Sequence, residues 1–178
     1  WLALGIQSEL GRGGGTGRES QTGSPIGGLT WTGKAAEFDG YRVQEGLRDS
    51  TEVSGTSIFD PVLCELAYRW FCPPGGSILD PFAGGSVRGI VAAYLGYTYT
   101  GIDLRPEQVA ANKEQAQRIV PQILPSWIVG DSRQLISLVS EDYDLFFTCP
   151  PYYDLEVYSD DPQDLSNAED YEGFLTVY

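Results

Sequence analysis

Apolar and polar positions fall into two regimes along the chain. From Ser57 onward they recur with periods that alternate between helix and strand, whereas the preceding residues hold no period for long. Asp60 stands where a helix N-cap belongs, with Pro61 at the first helical position. Val62/Leu63, Leu66/Ala67 and Trp70/Phe71 then follow at helical spacing, until CPPGG at 72–76 stops the helix. SILDPF at 77–82 reads as a short apolar strand. A glycine-rich turn leads into a helix carrying Val87, Ile90, Val91, Tyr94 and Leu95 on one side, closed by Gly96. The pattern predicts a second strand over 97–104, a helix opened by Pro106 and running to about Val120, and a third strand over 127–131. A short helix is expected near 133–139 and a fourth strand over 143–149.

Strands alternating with helices at this interval predict an α/β fold. The expected architecture is a doubly wound, Rossmann-like parallel sheet built from βαβ units and covered on both faces. In such sheets ligands bind at the carboxyl ends of the strands. The four predicted strands end in Asp80, Asp103, Asp131 and Cys149, so these residues are expected to converge on one edge. Residues 1–56 are rich in Gly, Ser and Thr, as in GRGGGTGRES at 11–20. They read as a mostly irregular leader in which 31–38 is a piece able to pack on the core. The domain proper is expected to occupy 57–178.

Composition narrows the function. A chain of 178 residues that is 42% hydrophobic and 12% aromatic is globular and suits one domain with a sizeable core. Cys64, Cys72 and Cys149 are odd in number and widely spaced, which fits neither a disulfide framework nor a zinc site and points to a reducing cytoplasm. No apolar run has the length of a membrane span, and no basic segment precedes an apolar stretch at the start. With no histidine in the sequence, Ser-His-Asp and Cys-His catalysis and His-ligated metals are excluded. The formal charge is −14 and no Lys or Arg follows Arg133, which argues against tight autonomous binding to nucleic acid. A catalytic domain whose basic parts lie elsewhere remains compatible with that balance.

The candidate chemistry sits at the strand ends. In LDPFAGGSVRG at 79–89, glycines such as Gly84 and Gly85 permit close backbone approach to a ligand, and the helix start that follows presents free N–H groups. Many such turns carry glycine for packing alone. Asp80 would repel a pyrophosphate there and welcome a cationic or amino-bearing ligand. Asp103, about twenty residues beyond the glycine turn, is placed either to bind two ribose hydroxyls or to cap the next helix. Ribose without pyrophosphate, beside a carboxylate, describes a nucleoside with a positive, amino-acid-like tail, and S-adenosylmethionine (SAM) fits. Asp131 in GDS at 130–132 either accepts from an adenine amino group or caps a helix.

LDPFAGGSVRG, TGIDL, VGDS and TCPPYYD, in that order, resemble the motifs of the SAM-dependent DNA amino-methyltransferases, which methylate adenine N6 or cytosine N4. The resemblance covers roughly 57–158. It implies SAM as cofactor, held by Ser57, Phe59, Asp80, Phe82, Gly84, Gly85, Asp103, Leu104, Asp131 and Ser132. It implies a catalytic turn of Cys149, Pro150, Pro151 and Tyr152, with DNA as partner, a target base flipped out of the duplex, and no metal. Tyr152 would stack on the base. The first side chain of the turn and a carbonyl of the Pro-Pro segment would accept from the exocyclic amine. Cys149 departs from the Asp, Asn or Ser of the family, and a thiol is a weak acceptor. A covalent role like that in cytosine-C5 enzymes would require Pro before Cys, whereas here Cys precedes both prolines. The resemblance also implies further strands and a target-recognition region after residue 178 or in another chain. Two alternatives stand beside it: an RNA guanine-N2 or protein-amide methyltransferase of the same fold, and a catalytically inactive SAM-binding module.

Overall fold

The structure, a computed structural model, describes residues 1–6, 59–140, 142–153 and 161–177. Helix α1 (Pro61–Phe71) begins where expected. Asp60 Oδ1 accepts from the N–H groups of Val62 and Leu63 at 2.7 and 3.3 Å, satisfying donors that have no partner within the helix. There follow β1 (Ser77–Asp80), α2 (Val87–Tyr94), β2 (Thr98–Asp103), α3 (Pro106–Ile119) and β3 (Ser126–Val129). A 3-10 turn at Ser132–Gln134 then leads into α4 (Leu135–Leu138) and β4 (Leu145–Phe146). A further 3-10 turn at Leu165–Asn167 precedes α5 (Tyr171–Val177). Among these helices none is long and apolar enough to cross a membrane.

The four strands form one parallel sheet in the order β3-β2-β1-β4. This is the Rossmann-like α/β arrangement that the alternating pattern predicts. The chain moves outward from β1 through β2 to β3, then returns to the far side of β1, so the order reverses between β1 and β4. A reversal of this kind opens a crevice at the carboxyl ends of the two strands.

The strands are shorter than the apolar runs. β1 stops at Asp80 rather than Phe82, because Pro81 has no N–H to continue the ladder. β4 is confined to Leu145–Phe146 within the predicted 143–149. At its start the Asp144 carboxylate takes up the Ser77 N–H and hydroxyl at 2.8 and 3.0 Å. Past its end Phe147 N–H still donates to Leu79 O at 3.0 Å, and the prolines follow only at 150 and 151.

Tyr68, Ile78, Ile90, Val91 and Ile102 are fully buried and form the centre of the core. Gly89 sets how closely α2 lies on the sheet, since a Cβ there would sit 2.5 Å from Cζ2 of Trp127. The first residues, expected to be irregular, contain a 3-10 turn at Leu2–Leu4. Trp1 packs edge-on against Tyr94 at 5.2 Å and donates from Nε1 to Glu65 at 2.8 Å. Ser57 and the segment 31–38 lie outside the described residues.

Candidate functional site

At the carboxyl edge of the sheet lies a cavity of about 150 Å³. Its floor is the turn from β1 into α2. There Gly84 adopts φ +49°, a left-handed conformation that a residue with a Cβ resists. The turn is tied down from several directions. Ala83 N–H donates to Ile102 O at 2.8 Å, Gly84 N–H donates to Asp103 Oδ2 at 2.9 Å, and Asn112 Nδ2 of α3 donates to Gly84 O at 2.7 Å.

Asp103 occupies the end of β2 between two turns. Its carboxylate accepts from the N–H groups of Gly84 and Arg105 at 2.9 Å each, and its carbonyl accepts from Gly130 N–H at 3.0 Å. Burial pushes the Asp103 carboxyl up to about 6, against the opposing pull of those two N–H groups and the Arg105 charge. Arg105, not Asp103, stands at the N-cap of α3. Asp103 steadies that start from two residues further out by accepting from the Arg105 N–H, and it also lines the cavity.

Phe59, Phe82, Gly84, Gly85, Leu104 and Ser132 line the cavity together with Asp103. So do Asp131, Cys149 and Pro151, so the glycine turn and the Cys-Pro-Pro turn share one space. The Ser132 hydroxyl donates to the Pro81 carbonyl, joining the third strand's loop to the first. Asp131 meets the cavity already paired. Arg133 binds it through Nε and Nη2, with a closest approach of 2.6 Å, and this contact holds its carboxyl below the usual range.

Asp80 departs from expectation. It is fully buried and lies beneath the cavity rather than on its wall. Arg88 Nε and the Tyr99 hydroxyl both donate to its Oδ2 at 2.6 Å, and the Thr148 hydroxyl donates to Oδ1 at 2.8 Å. A carboxylate that closely paired is not available to a cationic ligand. Arg88 in turn donates to the carbonyls of Phe82 and Ala83 at 2.5 and 3.0 Å. Burial alone would lower its guanidinium, yet Asp80 beside it raises it above its ordinary value.

Pro150 and Tyr152 are not on the cavity wall. Tyr152 is 55% exposed, and its hydroxyl lies 3.7 Å from Cys149 Sγ. The next residue, Tyr153, holds φ +45°, and its ring meets Tyr171 and Phe174 of α5 at 5.8 and 5.9 Å.

Two groups escaped the sequence reading. Arg105 donates to Gln108 and Gln108 to Asn112, at 2.9 Å each, forming a buried polar chain that ends on the Gly84 carbonyl. The signal for it was polar residues on the inward face of α3, interleaved with buried Val109 and Ala116. Gln163, Asp164 and Leu165 form another part of the cavity wall. They carry no period or motif that would have marked them.

No protein-family model matches the chain, and no curated protein does. Among solved structures it is similar to TrmN from Thermus thermophilus, with 25% identity and TM-score 0.46 over 51% of this chain and 28% of that one. Protein 1320 of Thermoplasma acidophilum shows 18% identity and TM-score 0.42 over 64% and 50% of the two chains. A TehB-like SAM-dependent methyltransferase from Corynebacterium glutamicum shows 24% identity and TM-score 0.40 over 67% and 50%. The chain thus spans half or less of the length of each. At these TM-scores the functional reading rests on the site's own residues.

Proposed function

We propose that this chain binds SAM and transfers its methyl group to the exocyclic amine of adenine (N6) or cytosine (N4) in DNA. The observation that carries the reading is that Asp103, Cys149 and Pro151 line the same cavity. A carboxylate suited to a ribose diol thereby shares one space with two residues of an x-P-P-Y turn suited to an exocyclic amine. The residues fit the cofactor in kind. Phe59, Phe82 and Leu165 supply apolar wall for a nucleoside, and the Asp103 and Asp164 carboxylates favour a ligand bearing positive charge. When bound there, SAM supplies a methyl group on a positively charged sulfur.

The chain's own part is orientation. Asp103 accepts from the ribose hydroxyls. Tyr152, with its ring exposed, stacks on the flipped base. The carbonyls near Pro150 and Pro151 accept from the amine and direct its lone pair toward the methyl group. Cys149, a weak acceptor, leaves most of that work to the carbonyls.

A second reading is methylation of guanine N2 in RNA or of a protein amide, and one observation favours its protein-amide arm: no Lys or Arg follows Arg133. Such a surface gives a nucleic-acid backbone, DNA or RNA, little to bind. The test is to incubate the protein with methyl-labelled SAM and separate DNA, RNA and protein pools, then digest to nucleosides and amino acids. N6-methyladenine or N4-methylcytosine in DNA is the expected product. Label confined to guanine in RNA, or to protein, selects the second reading. SAM binding without transfer to any pool identifies a binding module.

A further inference from the structure

The buried ion pair below the cavity reaches further than the core. Past Phe147, whose N–H donates to Leu79 O at 3.0 Å, attachment of the β4 chain to β1 passes to the Thr148 side chain. The Thr148 hydroxyl donates to Asp80 Oδ1 at 2.8 Å and accepts from Phe82 N–H at 3.1 Å. On its other oxygen Asp80 holds Arg88, which grips the carbonyls of Phe82 and Ala83. One carboxylate therefore touches both turns. It lies under the glycine turn through Arg88 and fixes the residue just before Cys149 through Thr148.

We infer that Thr148 is a positioning residue that, through Asp80 and Arg88, locks the start of the Cys149–Tyr152 turn to the glycine turn. The glycine turn and the catalytic turn thus keep a fixed spacing across the cavity. Tyr99 supplies the contrast, since it holds the same Asp80 from β2 through its hydroxyl, on the oxygen opposite the one Thr148 uses. The link between the turns is a geometric claim in itself. Its value for methyl transfer rests on the function proposed above.

Cys149 reports on the link without any knowledge of the substrate. It is half-buried, whereas Cys64 and Cys72 are buried, with the Cys64 thiol pushed up by burial to about 12. Iodoacetamide labelling followed by peptide mass spectrometry reads each thiol separately. In ligand-free protein, Thr148→Val is expected to raise the alkylation rate of Cys149 about five- to tenfold, the size of losing two partly buried hydrogen bonds. Thr148→Ser should restore the wild-type rate, and Tyr99→Phe should leave it unchanged. An unchanged rate in Thr148→Val, or an equal rise in Tyr99→Phe, overturns the inference.

If Thr148→Val also opens Cys64 and Cys72, Thr148→Ala takes its place. If that variant opens them too, Thr148 is a general support and the proposal fails. With S-adenosylhomocysteine as probe, calorimetric affinity should be similar in wild type and Thr148→Val, while protection of Cys149 by the probe is lost in the variant. Retained protection counts against the link. Absence of any binding to wild type removes the SAM reading and leaves the ligand-free comparison to decide the rest.

Discussion

The two sides of the cavity are held in contrasting ways. The glycine turn is fixed by a backbone bond to Ile102, by a bond to the Asp103 carboxylate, by a buried polar chain from α3, and by a paired guanidinium beneath it. The Cys-Pro-Pro-Tyr turn is anchored at its first residue through Thr148. Beyond that come two prolines, Tyr152 with its hydroxyl near Cys149 Sγ, and a Tyr153 at positive φ whose ring packs on α5. One wall is thus held along its length by hydrogen bonds to the sheet and α3, and the other by a hydrogen-bonded first residue followed by proline-restricted chain and ring packing.

Substitutions on the two walls should separate stability from chemistry. The largest effect is expected from Arg88→Met, which leaves the Asp80 carboxylate buried without its partner. This should cost about 3–5 kcal/mol and show as a large fall in urea midpoint. The double variant Asp80→Asn/Arg88→Met should recover much of the loss, and a double variant as unstable as the single one would mean that charge pairing is not the cause.

Next comes Asp103, whose folded pKa is raised. Its contribution to stability is complete below its ordinary 3.8 and is lost as pH rises through about 6. Across that window the wild type should lose roughly 2–3 kcal/mol relative to Asp103→Asn. Affinity for SAM should run the opposite way, rising as the carboxylate ionises. The Asn variant should bind about 10- to 100-fold more weakly at neutral pH and without that pH dependence. Calorimetry across the range checks both.

Gly84→Ala places a Cβ at φ +49° and should cost about 1–2 kcal/mol, read from chemical denaturation. Tyr152→Ala should be the smallest perturbation of the fold, within about 0.5 kcal/mol. It should nonetheless slow transfer to nucleic acid by roughly 10- to 100-fold, with SAM affinity unchanged. A Tyr152→Ala protein with full activity would remove the stacking role.

The fold was legible because its signals are local. Pro61 and Pro106 open helices, Gly96 follows one, and apolar runs between them become strands. Asp103 was legible for the same reason, as an acid at a strand end. The role of Asp80 was not. Its partners Arg88, Tyr99 and Thr148 come from a helix, a neighbouring strand and a distant turn. Arg88 also sits inside the run Val87–Ala93, buried throughout, where an arginine looks out of place until its carboxylate is found. Gln163–Leu165 illustrates the opposite limit. These residues reach the cavity by tertiary placement alone, and nothing in their own pattern marks the position.

The Asp80–Arg88 pair has a consequence for how this protein can change over generations. Losing Arg88 alone would leave the buried Asp80 carboxylate without its cation, so a single change there carries a large folding cost that a paired change avoids. The exposed ring of Tyr152, by contrast, can be varied at little cost to folding. A lineage built on this frame can alter the residue at position 149, or the ring beside it, while the base of the cavity stays as it is.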